Sequence, residues 1–312
     1  MKTRPNAPHL AHRRDAGFTL VELMVTLVIS LLVLMAGLSF YMMSRSSYET
    51  INDSANLEER GNFALSIVTR LMRQTAYVPV VPNTGGMMYV PDPMIVGIDN
   101  CSNPNNSETL ACGAGGGINA SDAIIVRYFG VGQQADQSKP DESVVDCSGQ
   151  GVASYTDSDK AASQRGLSIL YIGNGANGKP SLMCKYRERA ASGVETTDTY
   201  QTQELVPGVE NLQLLYGMST NGDDVPDKYV TGTGITTDAD WRNVKTVKVA
   251  MIVRADSTSA DAGAPAAISL FGPLYSGDNA TYTPTVDVKS ARKLYYATIQ
   301  IRNYQTCGGM SC

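Results

Sequence analysis

The chain has 312 residues, 43% of them hydrophobic, with 25 basic against 30 acidic residues and a formal net charge of -5. That much apolar material builds a core, which excludes a chain disordered by composition, and the negative balance argues against gripping nucleic acid through a basic surface. Only two histidines occur, His9 and His12, so chemistry built on several imidazoles is hard to assemble.

Residues 1–17 carry Lys2, Arg4, Arg13 and Arg14 and read as a cytoplasmic leader. From Leu23 to Met43, 21 consecutive residues lack a charge. A helix of that length crosses the roughly 30 Å hydrocarbon core of a bilayer. The basic cluster on its N-terminal side keeps the N-terminus in the cytoplasm and sends the remaining chain across the membrane. A secretory signal peptide is the alternative reading. It is opposed by an apolar run longer than the usual ~7–15 residues, and by the bulky FYMMSRSSYE where a small-residue cleavage site belongs. At the head of the run stands GFTLVEL, Gly17 to Leu23, with a single carboxylate, Glu22. A carboxylate at the edge of hydrocarbon costs several kcal/mol unless it is paired, which makes Glu22 a functional residue; snorkelling to the headgroups is its plainer alternative.

No proline interrupts Phe18 to Tyr77, so a helix of up to ~60 residues is possible, softened only at Gly37 and Gly61. After Met43 the pattern turns amphipathic. Phe63, Ala64, Ile67, Val68, Leu71 and Met72 take one face, and Glu58, Glu59, Arg60, Arg70 and Arg73 the other, as expected of a helix packed on a globular head. The organisation expected is a leader at 1–17, a transmembrane half-helix at 18–43, an amphipathic half-helix at 44–78, and a β-rich head at 79–312.

Within the head, strands are expected at Ala123–Phe129, Leu167–Ile172, Leu182–Arg187, Leu212–Tyr216, Val244–Arg254 and Leu294–Arg302. In the fifth, Val247, Val249, Met251 and Val253 alternate with Lys248 and Arg254, which places one face on the core and the other in solvent. The fold class expected is α+β, a long N-terminal helix on one antiparallel sheet. The connections 79–121, 133–165, 217–243 and 255–290 are long and polar, as functional or mobile loops are.

All six cysteines, Cys101, Cys112, Cys147, Cys184, Cys307 and Cys312, follow the apolar helix and so lie on the oxidising side of the envelope. Six thiols permit fifteen pairings, and sequence does not choose among them. The sequence-near set Cys101–Cys112, Cys147–Cys184 and Cys307–Cys312 is the expectation. Zinc is disfavoured, because there is no C-x-x-C pair and both histidines sit in the leader, which also removes histidine-based catalysis from a processed chain. In STNGDDVPDKY, Asn221, Asp223 and Asp227 offer oxygens to calcium beside Gly222, although Ser219 and Asp224 depart from an EF-type loop. Calcium is thus the one cofactor to consider, against a solvated acidic loop. Lys185, Arg187 and Arg189 read as a solvated face rather than a DNA site.

GFTLVEL directly after basic residues resembles the processing motif of type IV pilin-like proteins. That resemblance implies cleavage between Gly17 and Phe18 by a prepilin peptidase, N-methylation of Phe18, and pairing of Glu22 with the α-amino group of Phe18 in a neighbouring subunit. The helix end GNFALSIVTRLMRQTAYV at 61–78, DAIIVRYFG at 122–130, DCSG at 146–149 with LMC at 182–184, ELVPGVENLQLLYG at 204–217 and IQIRNY at 299–304 resemble PilW-like minor pilins in order and spacing. The resemblance implies a non-enzymatic subunit of the inner membrane and then of the type IV pilus, with other minor pilins and the major pilin as partners in a priming or tip complex. A J-type pseudopilin of type II secretion and a pilus-tip adhesin are the alternatives.

Overall fold

A computed structural model of the chain describes residues 17–79, 92–190, 194–258, 266–273 and 275–303. The chain divides into two compact units between Asn52 and Asp53.

A single 55-residue helix, α1 (Leu20–Gln74), contributes to both units. In the first unit every large apolar side chain from Phe18 to Met43 is exposed. The most apolar 18-residue window has a mean hydropathy of 2.5. Its few hydroxyls turn back on the helix: Thr26 donates to the Leu23 carbonyl at 2.9 Å, Ser30 to Thr26 at 2.7 Å and Ser39 to Met35 at 2.9 Å. These hydroxyls are therefore satisfied by the helix's own carbonyls.

The second unit begins with the rest of α1. Leu57, Gly61, Ala64, Ile67, Val68, Leu71 and Met72 are buried, a stripe at three- and four-residue spacing. Phe63, expected on this stripe, is 54% exposed. It stands about 100° round the helix from Ala64, beyond the stripe's edge.

The strands are β1 (Ile95–Ile98), β2 (Ala123–Tyr128), β3 (Gly166–Asn174), β4 (Pro180–Arg189), β5 (Thr196–Pro207), β6 (Val209–Met218), β7 (Lys228–Val230), β8 (Val244–Arg254), β9 (Ile268–Ser269), β10 (Thr281–Tyr282) and β11 (Arg292–Gln300). Instead of one sheet they form two, in the orders β1-β2-β3-β4-β5 and β11-β8-β6-β7, with β9 and β10 as a separate ribbon. Every pairing is antiparallel. Gly208 alone separates β5 from β6 and carries the chain from one sheet to the other. Its φ is +81°, and an added Cβ would lie 3.0 Å from the Arg254 carbonyl, so glycine suits the corner. Its N–H donates to Pro180 of the first sheet at 3.1 Å, and its carbonyl accepts from Arg254 of the second at 2.9 Å.

One core joins α1 to both sheets. The helix supplies Val68, Leu71 and Met72, the first sheet Val126, Leu170 and Leu182, and the second Leu212, Val249 and Met251. Asp122 stitches the sheets together. Its carboxylate accepts the N–H of Asn100 at 3.2 Å and of Leu214 at 2.9 Å. The outer face of β8, expected in solvent, is covered: Ala250 and Ile252 pack with Leu270 and Tyr282 from the 255–290 connection. Arg254 is buried there and pairs with Asp287 at 2.6 Å.

Candidate functional site

The first candidate site lies at the start of α1. Thr19 precedes the first helical residue, and its hydroxyl accepts the Glu22 backbone N–H at 3.3 Å. T-x-x-E is the spacing of a capping box, in which the first turn's free N–H groups find side-chain oxygens. Thr19 is not among the residues expected at this site, and the T-x-x-E spacing is the signal in the sequence that points to it. The cap places Glu22 in the first helical turn, where the helix dipole favours a negative charge. Phe18, just outside the helix, is 79% exposed. Phe18 and Glu22 are four residues apart, close to one helical turn, and Glu22 is the only acidic residue from Phe18 to Ser44.

In the second unit, α1 is tied to the last strand and its approach. The Tyr295 hydroxyl donates to the Leu57 carbonyl at 2.8 Å, Lys293 pairs with Glu58, and Arg60 meets Asp256 at 2.5 Å. Arg60 holds the Asp256 carboxyl below its ordinary range. The ring of Tyr295 lies over Gly61, where an added Cβ would fall 2.1 Å from a ring carbon.

Two cysteine pairs sit at disulfide geometry: Cys101 with Cys112, Cα atoms 5.7 Å apart, and Cys147 with Cys184, 5.9 Å apart. Cys307 and Cys312 lie outside the described residues. The first pair closes a loop that delivers Glu108 to three arginines: Arg165, Arg187 at 2.9 Å and Arg127 at 3.8 Å. Arg165 also meets Asp92 at 2.9 Å. Burial, together with the neighbouring Arg165 charge, pushes Arg127 down to about 10. Lys185, Arg187 and Arg189 are therefore not a solvated face. Lys185 is buried with its ammonium on the Pro104 carbonyl at 2.6 Å, and Arg189 donates to the carbonyls of Gln164 and Val194 at 3.2 and 2.7 Å. The β-strand period, with the 101–112 loop above it, turns these three cations inward.

In the 219–227 loop the oxygens offered to calcium have other work. Asp227 accepts the Thr220 N–H at 2.6 Å and hydroxyl at 2.7 Å, which holds its carboxyl below the ordinary range. Asn221 accepts the Asp223 N–H at 3.1 Å, Asp223 accepts the Val225 N–H at 3.0 Å, and Asp224 turns to Lys245 at 2.6 Å. Among the described residues, no three or more His, Cys, Asp or Glu side chains converge as a metal site. The acidic side chains here act as turn-forming caps.

Residues 12–38 match the family model for the prokaryotic N-terminal methylation motif, and residues 169–303 match the model for type IV pilus-assembly protein W. The second match spans most of β3 through β11 and so takes in the Gly208 corner and the strand that clamps α1. Comparison with curated proteins and with solved structures finds no match.

Proposed function

Because the chain is a PilW-like minor pilin of type IV pilus assembly, we propose that it works as a structural, non-enzymatic subunit that enters the filament through the Phe18–Glu22 turn. Its apolar helix and its processing motif fit a membrane-anchored pilin. The family implies dealings with prepilin peptidase and with other pilus components. The finer steps are these. Prepilin peptidase cuts between Gly17 and Phe18 on the cytoplasmic face, and the new Phe18 amine is methylated. The processed chain waits in the inner membrane with its head in the periplasm. It then joins other minor pilins in a priming or tip complex on which the major pilin polymerises.

The observation that carries this reading is the lone carboxylate on an exposed apolar helix, one turn from the residue that becomes the N-terminus. Glu22 pairs with the α-amino group of a neighbouring Phe18, which neutralises both charges at the edge of the hydrocarbon and fixes the axial register of the incoming subunit. Glu22→Ala is expected to leave leader removal intact, as read by intact mass, while its incorporation into sheared pili drops about tenfold or more. Incorporation at the wild-type level removes the Glu22 assignment. Deletion of the chain is expected to abolish surface pili and twitching while leaving enzyme secretion untouched; the opposite pattern would identify a type II secretion pseudopilin.

A further inference from the structure

A groove of about 740 Å³ runs beside the last turns of α1, closed on its other side by the 143–144 loop and by residues 302–303. Leu65, Tyr77 and Val144 form a half-buried apolar floor. Three exposed arginines, Arg70, Arg73 and Arg302, stand along it.

These cations differ from most other arginines of the head. Arg60, Arg165, Arg254 and Arg292 each face a carboxylate. Among the described residues, Arg70, Arg73 and Arg302 face none. The frame around them is fixed: Gln74 donates to the Val145 carbonyl at 2.6 Å, and the Asn303 amide to the carbonyls of Arg73 and Thr75 at 3.2 and 3.1 Å. Three like charges thus line one groove in a chain whose net charge is negative. A partner that brings carboxylates complements such a surface.

We propose that this groove is the docking site for an acidic amphipathic segment of a different pilin subunit. Carboxylates of the segment meet Arg70, Arg73 and Arg302, and its apolar side chains cover Leu65, Tyr77 and Val144. Nucleic acid would answer the charges but would leave the apolar floor uncovered, which favours a polypeptide. Naming the partner as a pilin rests on the assembly reading above.

The test places a photoreactive amino acid at Ser66, an exposed position lining the groove, in the full chain in its own membrane, and identifies crosslinked peptides by mass. The expected product joins Ser66 to an acid-bearing stretch of another pilin. Its yield falls roughly tenfold or more in the Arg70→Glu, Arg73→Glu, Arg302→Glu triple variant, survives the corresponding lysine triple variant, and recovers when the mapped carboxylates are replaced by lysine. An absent product, a product with a second copy of this chain, with lipid or with nucleic acid, or a yield indifferent to charge reversal overturns the proposal. If deleting the chain abolishes pili while the charge-reversed chain assembles at the wild-type level, the groove is wrong and the assembly reading stands. Pili that persist without the chain sink the assembly reading itself.

Discussion

At the scale of single residues, Gly61 and Asp122 show how a local preference yields to a distant partner. Alanine is the better helix former by about 1 kcal/mol, so Gly61→Ala would stabilise an isolated helix. In the head the added methyl collides with the Tyr295 ring, which its hydrogen bond to Leu57 holds in place. A net loss of roughly 1–3 kcal/mol is expected from overpacking, measurable by denaturant unfolding of the full chain in detergent; a gain would mean that the ring moves aside freely. Sequence marks Gly61 only as a soft point, because nothing near it in the chain announces Tyr295. Asp122 makes a prediction in pH. Burial, and then repulsion from Asp99, raise its carboxyl well above the ordinary range despite two backbone donors. The folded state therefore holds the proton more tightly than the unfolded chain. The resulting stability is complete below about pH 3.9 and is lost as pH rises through the folded value. Relative to Asp122→Asn, the wild-type chain should lose stability as pH is raised from about 4 toward neutrality. Parallel profiles for the two proteins would exclude Asp122 as the source.

Among the elements, the two disulfide loops differ in length and so in what they contribute. The Cys101–Cys112 bridge spans 11 residues and Cys147–Cys184 spans 37. Loop-closure entropy makes the longer bridge worth about 1 kcal/mol more. Replacing both cysteines of a pair by alanine is expected to lower unfolding free energy by about 2–4 kcal/mol, with the 147–184 pair the costlier; equal losses would put the effect in local packing instead. Strand legibility follows composition. β2, β3, β4, β6, β8 and β11 announce themselves as runs of β-branched and apolar residues, and each lies at or near its expected place. β5, written TTDTYQTQELVP, does not, because it is an edge strand with mostly exposed side chains and has little apolar signal to give. Without β5, the turn at Gly208 looks like part of a single strand region, and one sheet is expected where two exist. The covered face of β8 is hidden for a related reason: a polar connection with two two-residue strands gives no periodicity from which its packing could be read.

For the molecule as a whole, the sequence carries the long apolar helix, the N-terminal methylation motif and the α+β class, since each rests on contiguous residues. It does not carry the register between helix and sheets, which depends on residues far apart in the chain. Cleavage after Gly17, as proposed above, would take four of the 25 basic residues and one of the 30 acidic ones and leave a chain of net charge -8 with no histidine. Burial along α1 begins only at Leu57. A version starting at Asp53 should thus fold as a soluble unit with the melting temperature of the full chain's head, whereas one starting after Gly61 should lose cooperative unfolding as the clamp on Tyr295 disappears; calorimetry of the two separates these outcomes. The same clamp has a mechanical meaning. Any tension carried along α1 reaches the head first at Asp53, which accepts the Ser257 hydroxyl, and then at Leu57–Arg60, whose hydrogen-bonded and ionic ties lead to Lys293, Tyr295 and Asp256. Load would pass into β11 and the end of β8, strands that share a nine-rung ladder from Arg292 to Gln300, while the disulfide-closed loops of the other sheet stand outside that path.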